Sequence, residues 1–201
     1  PWDKVQTHTS IRMNFLEEAY EAVDALDLDD PVLMCEELGD VLMQVAFHTC
    51  MEQETGRFTW EQVCDGVCQK LIERHPNIFG TQPGYEGITD WDALKNKEKG
   101  RTTLADELES VPRAMPALMR AAKLQKRAAR HGAALQGADA AALADAAENL
   151  QTAQPASAQA EQAVGELLFA AANLARQAGV DPEQALQKAN EAFCTATGPV
   201  A

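Results

Sequence analysis

Residues 11–45 read IRMNFLEEAYEAVDALDLDDPVLMCEELGDVLMQV, and the fold is decided there. Ile11, Phe15, Ala19, Ala22, Val23 and Leu26 recur at spacings of three and four, the apolar stripe of an amphipathic helix. The stripe stops at Leu28-Asp29-Asp30, a turn sequence. Asp30 then stands as an N-cap with Pro31 at the first helical position, which suits a residue without a backbone N–H. Leu38, Val41, Leu42 and Val45 carry a second stripe toward Glu54, with Gly56 as the expected C-cap. Two helices joined by so short a turn run antiparallel.

Outward from this hairpin the pattern stays helical. Thr59 and Gln62 have capping-box spacing, and Val63, Val67, Leu71 and Ile72 predict the inner face of a third helix that ends at His75-Pro76. The Gly- and Pro-rich stretch 77–87 reads as a loop and 90–99 as a short helix or ordered basic segment. Pro112 and Pro116 precede a helical run over 117–130, which Gly132 and Gly137 break. Residues 138–154 are helix-permissive but poor in large apolar side chains. Leu167, Leu168, Ala171, Leu174 and Ala178 mark a further helix, and Asp181-Pro182 caps the last, through Leu186 and Ala189 to Phe193. No stretch alternates with period two, so little or no sheet is expected. The fold class is all-α.

The acidic side chains of the hairpin carry the chemistry. Glu17-Glu18-x-x-Glu21 lies on the first helix and Glu36-Glu37-Leu38-Gly39-Asp40 on the second. At 3.6 residues per turn Glu18 stacks on Glu21, and Glu37 on Asp40, so an antiparallel hairpin can bring four carboxylates together beside its apolar stripes. Like charges there repel and resist desolvation, so the cluster is costly without a cation. Oxygen ligands with no nearby His or Cys suit hard divalent cations, Mg2+ or Mn2+, which in turn suit phosphates. A solvated acidic face is the commoner fate of Glu-rich helices. Against it stands Gly39, which costs about 1 kcal/mol relative to Ala in a helix and points to close approach of a backbone or ligand. A di-iron site would need Glu-x-x-His on two helices, and neither helix has one.

Other residues read less specifically. Lys70, Arg74, His75, Lys95, Lys97 and Lys99 form a downstream basic series that could clamp phosphates, although such a series is usually a solvated face. Trp2, Trp60 and Trp91 could stack on a base, but core or staple roles are commoner. His8 and His48 sit among apolar helix positions and are expected to be structural. Cys64 and Cys68, four apart, are expected to be small core residues rather than metal ligands.

Composition bounds the function. The 201 residues suffice for one domain or two small ones. Seventeen basic against 31 acidic side chains give a net charge of −14, which argues against binding duplex nucleic acid. Through residue 100 there are 8 basic and 20 acidic residues, so the acidity belongs to the first half. No apolar run approaches the roughly 18–20 residues of a membrane span. The opening residues show no signal-peptide pattern, and a start at Pro1 implies a translated start further upstream. Five cysteines form no disulfide framework and fit a reducing compartment, so a cytoplasmic protein is expected.

With these residues in view the chain resembles the MazG family of the all-α NTP pyrophosphatase superfamily. Pro1-Trp2-Asp3, Gln6-Thr7-His8, the two acidic motifs and Arg74-His75-Pro76-x-x-Phe79-Gly80 carry the likeness over the first hundred residues. Beyond them it rests on Arg120-Ala-Ala-Lys123-x-Gln-Lys126-Arg127, Gly165-Glu166-Leu-Leu-Phe169, Asn173-Leu-Ala-Arg176 and Ala185-Leu-x-Lys188-Ala-Asn190. The resemblance implies two tandem MazG-like helical domains, 1–104 and 105–201, forming four-helix-bundle-type cores in a homodimer or higher homo-oligomer. It implies Mg2+-dependent hydrolysis of NTP or dNTP to the monophosphate and pyrophosphate. Carried over by motif, Glu18, Glu21, Glu37 and Asp40 are metal ligands, and Glu17 and Glu36 either support those ligands from behind or position the attacking water. Arg74, Lys95 and Lys99 are candidates for phosphate contacts. The second domain departs from the pattern: Asp145 and Glu148 do not reproduce the first acidic motif, Ala163 stands at the equivalent of Glu37, and Glu166 replaces the usual Asp. Its metal site is therefore expected to be degenerate, leaving dimerisation or regulation.

Two other readings compete with an enzyme: a metal-dependent nucleotide-binding module without turnover, and a helical scaffold whose acidic face is only solvated. Retention of all four ligand candidates in the first domain favours the enzyme.

Overall fold

A computed structural model describes residues 1–76, 78–80 and 91–198, with the side chains of Trp91 and Asp92 left undescribed. The described residues are helical and contain no strand, as the periodicity predicts. The chain divides into two compact units, Pro1–Thr89 and Asp90–Ala201.

In the first unit a 3-10 turn, Asp3–Val5, precedes α1 (Arg12–Leu28), α2 (Pro31–Glu54) and α3 (Trp60–Arg74). The α1–α2 connection is two residues long and built from local chemistry. Asp29 takes the left-handed conformation at φ 53°, and its N–H bonds back to Leu26 O. Asp30 Oδ1 accepts from the N–H groups of Val32 and Leu33, satisfying donors that the helix start leaves open. α1 and α2 pack antiparallel, with Glu18 meeting Gln44 and Phe15 meeting His48. The Thr59–Gln62 capping box forms in both directions and starts α3, which packs on α2.

Burial in this unit is less complete than the stripes predict. Ile11, Ala22 and Ala25 are buried, but Val23, Leu26, Leu38, Leu42, Val67, Leu71 and Ile72 are exposed. Each helix turns one apolar line toward its neighbour, and three helices cannot enclose the second line. The same cause corrects three smaller expectations. Cys64 and Cys68 are exposed, not core, because they lie on an uncovered part of α3. Trp2 and Trp60 are likewise exposed, although Trp2 sets its ring edge against Phe47 at 6.4 Å. Gly39 faces open space rather than a close neighbour within the unit. The predicted loop 77–87 falls mostly outside the described residues.

The second unit holds α4 (Trp91–Glu98), α5 (Leu104–Glu109), α6 (Ala117–Arg130), α7 (Ala140–Thr152), α8 (Ala158–Gln177) and α9 (Pro182–Thr197). Asp139, Ser157 and Asp181 cap the last three in turn. The α7–α8 hairpin is packed through alanine: Ala146, Ala163, Ala170 and Ala172 are all buried. Side chains this small let helices approach closely, which explains a helix poor in large apolar residues. Buried polar groups fix the rest. Gln125 Nε2 donates to Phe169 O and Asn173 Nδ2 to Ala138 O, each at 2.7 Å. Glu107, only 7% exposed, receives Arg130 at 2.7 Å and His131 at 2.8 Å, joining α5 to α6. Arg127 adds bonds to Glu107 O and Ser110 Oγ.

Candidate metal centre

The hairpin brings three of the predicted carboxylates together. One oxygen each from Glu18 and Glu21 on α1 and Glu37 on α2 lie within 4.8 Å of one another. Their placement follows from the turn, since the Asp29–Asp30 reversal sets α2 beside α1 in the register where Glu18 meets Gln44. Gln44 Nε2 donates to Glu18 Oε1 at 3.2 Å and so pins one carboxylate across the pair. Gln44 is 5% exposed, and its own Oε1 is buried without a partner.

Electrostatics sharpen the picture. Glu37 Oε2 is buried and accepts no hydrogen bond among the described residues. Its carboxyl is pushed above the ordinary 4.5, first by desolvation and then by the negative charges of Glu21, Asp40, Glu36 and Glu18. Asp40 and Glu36 thus act on the cluster even though Asp40 is not within the tight trio. Glu17 is exposed on α1. The donor set is oxygen alone, acceptor-only when ionised, and among the described residues no cation forms an ion pair with it. Such a set fits a hard divalent cation.

The basic candidates are placed differently. Arg74 ends α3 in the first unit and is half-buried. Lys95 lies on α4 and Lys99 just after it, both exposed, in the second unit. His8 lies in the turn before α1 rather than on a helix, and it pairs with His48 of α2, which also packs on Phe15. Their Nδ1 atoms are 2.7 Å apart, His8 Nε2 reaches Glu52 Oε1 at 2.5 Å, and Arg57 Nη2 reaches the same oxygen at 2.6 Å. Burial and then the neighbouring His8 hold His48 below its ordinary 6.5. Gln44 and Glu52 escape the sequence reading. Both can be found by continuing from Glu37 along one face, through Asp40, Gln44, His48 and Glu52 at steps of three and four.

In the second unit Ala163, which the resemblance sets at the equivalent of Glu37, is 2% exposed. Asp145 and Glu166 border a cavity between α7 and α8, but no group of three acids gathers there among the described residues.

Paired helices that converge carboxylates define an all-α protein with an acidic helix-hairpin centre. Comparison with known proteins narrows the class. Residues 6–79 match the model of the MazG nucleotide pyrophosphohydrolase domain. The chain is 40% identical to the nucleoside triphosphate pyrophosphohydrolase of Escherichia coli K12, over 96% of this chain and 77% of that protein. It is 37% identical to the nucleoside triphosphate pyrophosphohydrolase/pyrophosphatase MazG of Thermotoga maritima, over 96% of this chain and 75% of that one. The uncharacterized protein YabN of Bacillus subtilis is 43% identical over 63% of this chain, which spans 26% of YabN. The chain belongs to the MazG family. No helix among the described residues is long and apolar enough to cross a membrane.

Proposed function

We propose that the first unit hydrolyses nucleoside triphosphates, NTP or dNTP, to the monophosphate and pyrophosphate with the help of a divalent cation, Mg2+ with Mn2+ as substitute. The observation that carries this reading is the convergence of Glu18, Glu21 and Glu37 oxygens within 4.8 Å, with Glu37 Oε2 left unpartnered. Those three residues, with Asp40, would hold the ion. When bound, it supplies positive charge to the phosphates and acidifies a water. The protein's own contributions are positional. Gln44 orients Glu18, while Glu36 and Glu17 position the attacking water and accept its proton. Within this unit Arg74, at the end of α3, contacts phosphate and offsets charge on the leaving pyrophosphate. Along α2, one turn beyond Asp40, Met43, Phe47 and Met51 border a cavity of about 340 Å³ with Gln6, of a size for a nucleoside.

The second unit serves in this reading as a MazG-like domain with a degenerate metal site, for assembly or regulation. Exposed apolar lines on α1, α2 and α3 support a homodimer or higher homo-oligomer. Five cysteines without a disulfide support a cytoplasmic setting.

Product analysis on a panel of NTPs and dNTPs with Mg2+ tests the reading. Wild type should release monophosphate and pyrophosphate, and Glu37→Ala should lose about two orders of magnitude or more of that turnover, since a missing ligand costs more than a missing outer partner. Nucleotide binding without turnover would instead make the protein a non-catalytic, metal-dependent nucleotide-binding or regulatory module.

A further inference from the structure

The second unit contains a cleft that the carboxylate chemistry does not use. About 570 Å³ in volume, it lies between α6 and the corner where α8 gives way to α9. Lys123 and Lys126 of α6 and Arg176 of α8 border it, against a single acid, Asp181. α6 carries five cations and no acid in its 14 residues. Two of them, Arg127 and Arg130, bind the Glu107 segment. Lys123 and Lys126 make no ion pair among the described residues.

The cleft is built rather than incidental. Arg176 donates from Nε and Nη2 to Asn173 Oδ1 at 2.9 and 2.8 Å, and Asn173 is 2% exposed and anchored to Ala138 O. That grip holds one edge of the guanidinium and leaves Nη1 for a ligand. Asp181 is committed to the α9 N–H groups of Glu183 and Gln184. Glu183 Oε2 in turn accepts from Met119 N at 3.2 Å, tying the start of α6 to the start of α9. Lys123 and Lys126, three residues apart on one helix, are about 5–6 Å apart at Cβ, a spacing for neighbouring phosphates rather than one. Low-dielectric walls, here Met119 and Val180 among others, focus the field of such a cationic patch even in an acidic protein.

We propose that this cleft binds a chain of two or more linked phosphates, and that it needs no metal to do so. Two point-charge ammoniums and one pre-oriented guanidinium fork suit that ligand. Nucleoside di- or triphosphates and inorganic pyrophosphate share this chemistry, and the triphosphate and pyrophosphate are the substrate and a product of the reaction proposed above, on which this link rests. Binding at this cleft would let the second unit report on either.

Isothermal titration calorimetry of the whole chain in EDTA, with pyrophosphate, orthophosphate, ATP and AMP, tests the proposal apart from turnover and apart from the metal centre. Pyrophosphate and ATP should bind one site per chain, about ten times more tightly than orthophosphate and AMP, and more weakly as salt rises. Lys123→Ala with Lys126→Ala should weaken that binding about ten-fold or more, and Lys126→Glu alone, at an exposed position that leaves folding intact, should do the same. Glu37→Gln and Lys188→Ala should leave it unchanged. Equal affinity for pyrophosphate and ATP assigns the site to the phosphate chain alone, and tighter ATP adds a nucleoside contact to the apolar wall. No binding in EDTA, AMP binding as tightly as ATP, or binding that survives the lysine variants overturns the proposal.

Discussion

Replacing Glu37 with Gln should change stability in opposite directions with and without divalent cation. Folding raises the Glu37 pKa above its ordinary 4.5, through desolvation and through Glu21, Asp40, Glu36 and Glu18. The folded state therefore holds this proton more tightly than the unfolded one. Stability contributed by the protonated form is complete below about pH 4.5 and is lost as pH rises through the raised value. At pH 7 without metal the ionised Glu37 is thus a liability, and Glu37→Gln should melt higher than wild type. Cation binding reverses the order. An ion at ten times its dissociation constant stabilises the native state by about 1.4 kcal/mol, which for a unit of 60–100 residues is about 6–11 °C. The first unit, Pro1–Thr89, falls in that range. Differential scanning fluorimetry with EDTA and with increasing MgCl2 reads both effects, with Asp65→Asn on α3 as a control for general ionic strength. A wild-type melting temperature that ignores Mg2+, or a Glu37→Gln variant that responds as wild type does, would refute the argument.

Two further outcomes rest on the remaining polar clusters. Partial burial pushes the Glu107 carboxyl up, but hydrogen bonds from His131 and Arg130 outweigh it and hold it below 4.5. Its stabilising contribution is present above pH 4.5 and fades as pH falls through the lowered value. Glu107→Gln should cost about 2–3 kcal/mol in urea unfolding at pH 7 and flatten the acid limb below pH 4.5; an unchanged acid limb would disprove the role. For His48, burial and His8 favour the neutral ring, so stability from this site should decline as pH drops below 6.5. Its imidazole midpoint by NMR should lie under 6.5 and climb in His8→Asn, and a midpoint at or above 6.5 in wild type would contradict the cluster geometry.

Local signals are legible in the amino-acid order alone. Asp30-Pro31, Thr59-x-x-Gln62 and Asp181-Pro182 each place a helix start, because a cap needs only residues within one turn. Glu18, Glu21 and Glu37 are legible as a cluster for a related reason: helix periodicity fixes the face, and a short turn fixes the partner. α5 escapes the sequence reading although Thr103 and Asp106 form a capping box, because Asp rather than Glu or Gln stands at its third position. Burial is the part that spacing does not supply. Val23 and Leu38 satisfy the apolar period as well as Ala22 does, yet of the three only Ala22 is buried. Glu107 carries no local signal of its role, because its partners Arg130 and His131 are more than twenty positions away in the sequence.

The uncovered residues also bear on the metal centre. Leu38 follows Glu37 directly and Leu42 lies one turn on, so the apolar line of α2 runs beside the carboxylates. In the proposed homodimer a second copy would cover such a line and remove water from around Glu37. Removing water raises the cost of every uncompensated negative charge there and strengthens the attraction to a cation by the same electrostatics. Assembly and cation binding would then favour each other, and by linkage each must raise the other's affinity by an equal factor. Such coupling would let an acidic cluster sit against an apolar surface without defeating the fold, because the charges would repel a partner only while the ion is absent.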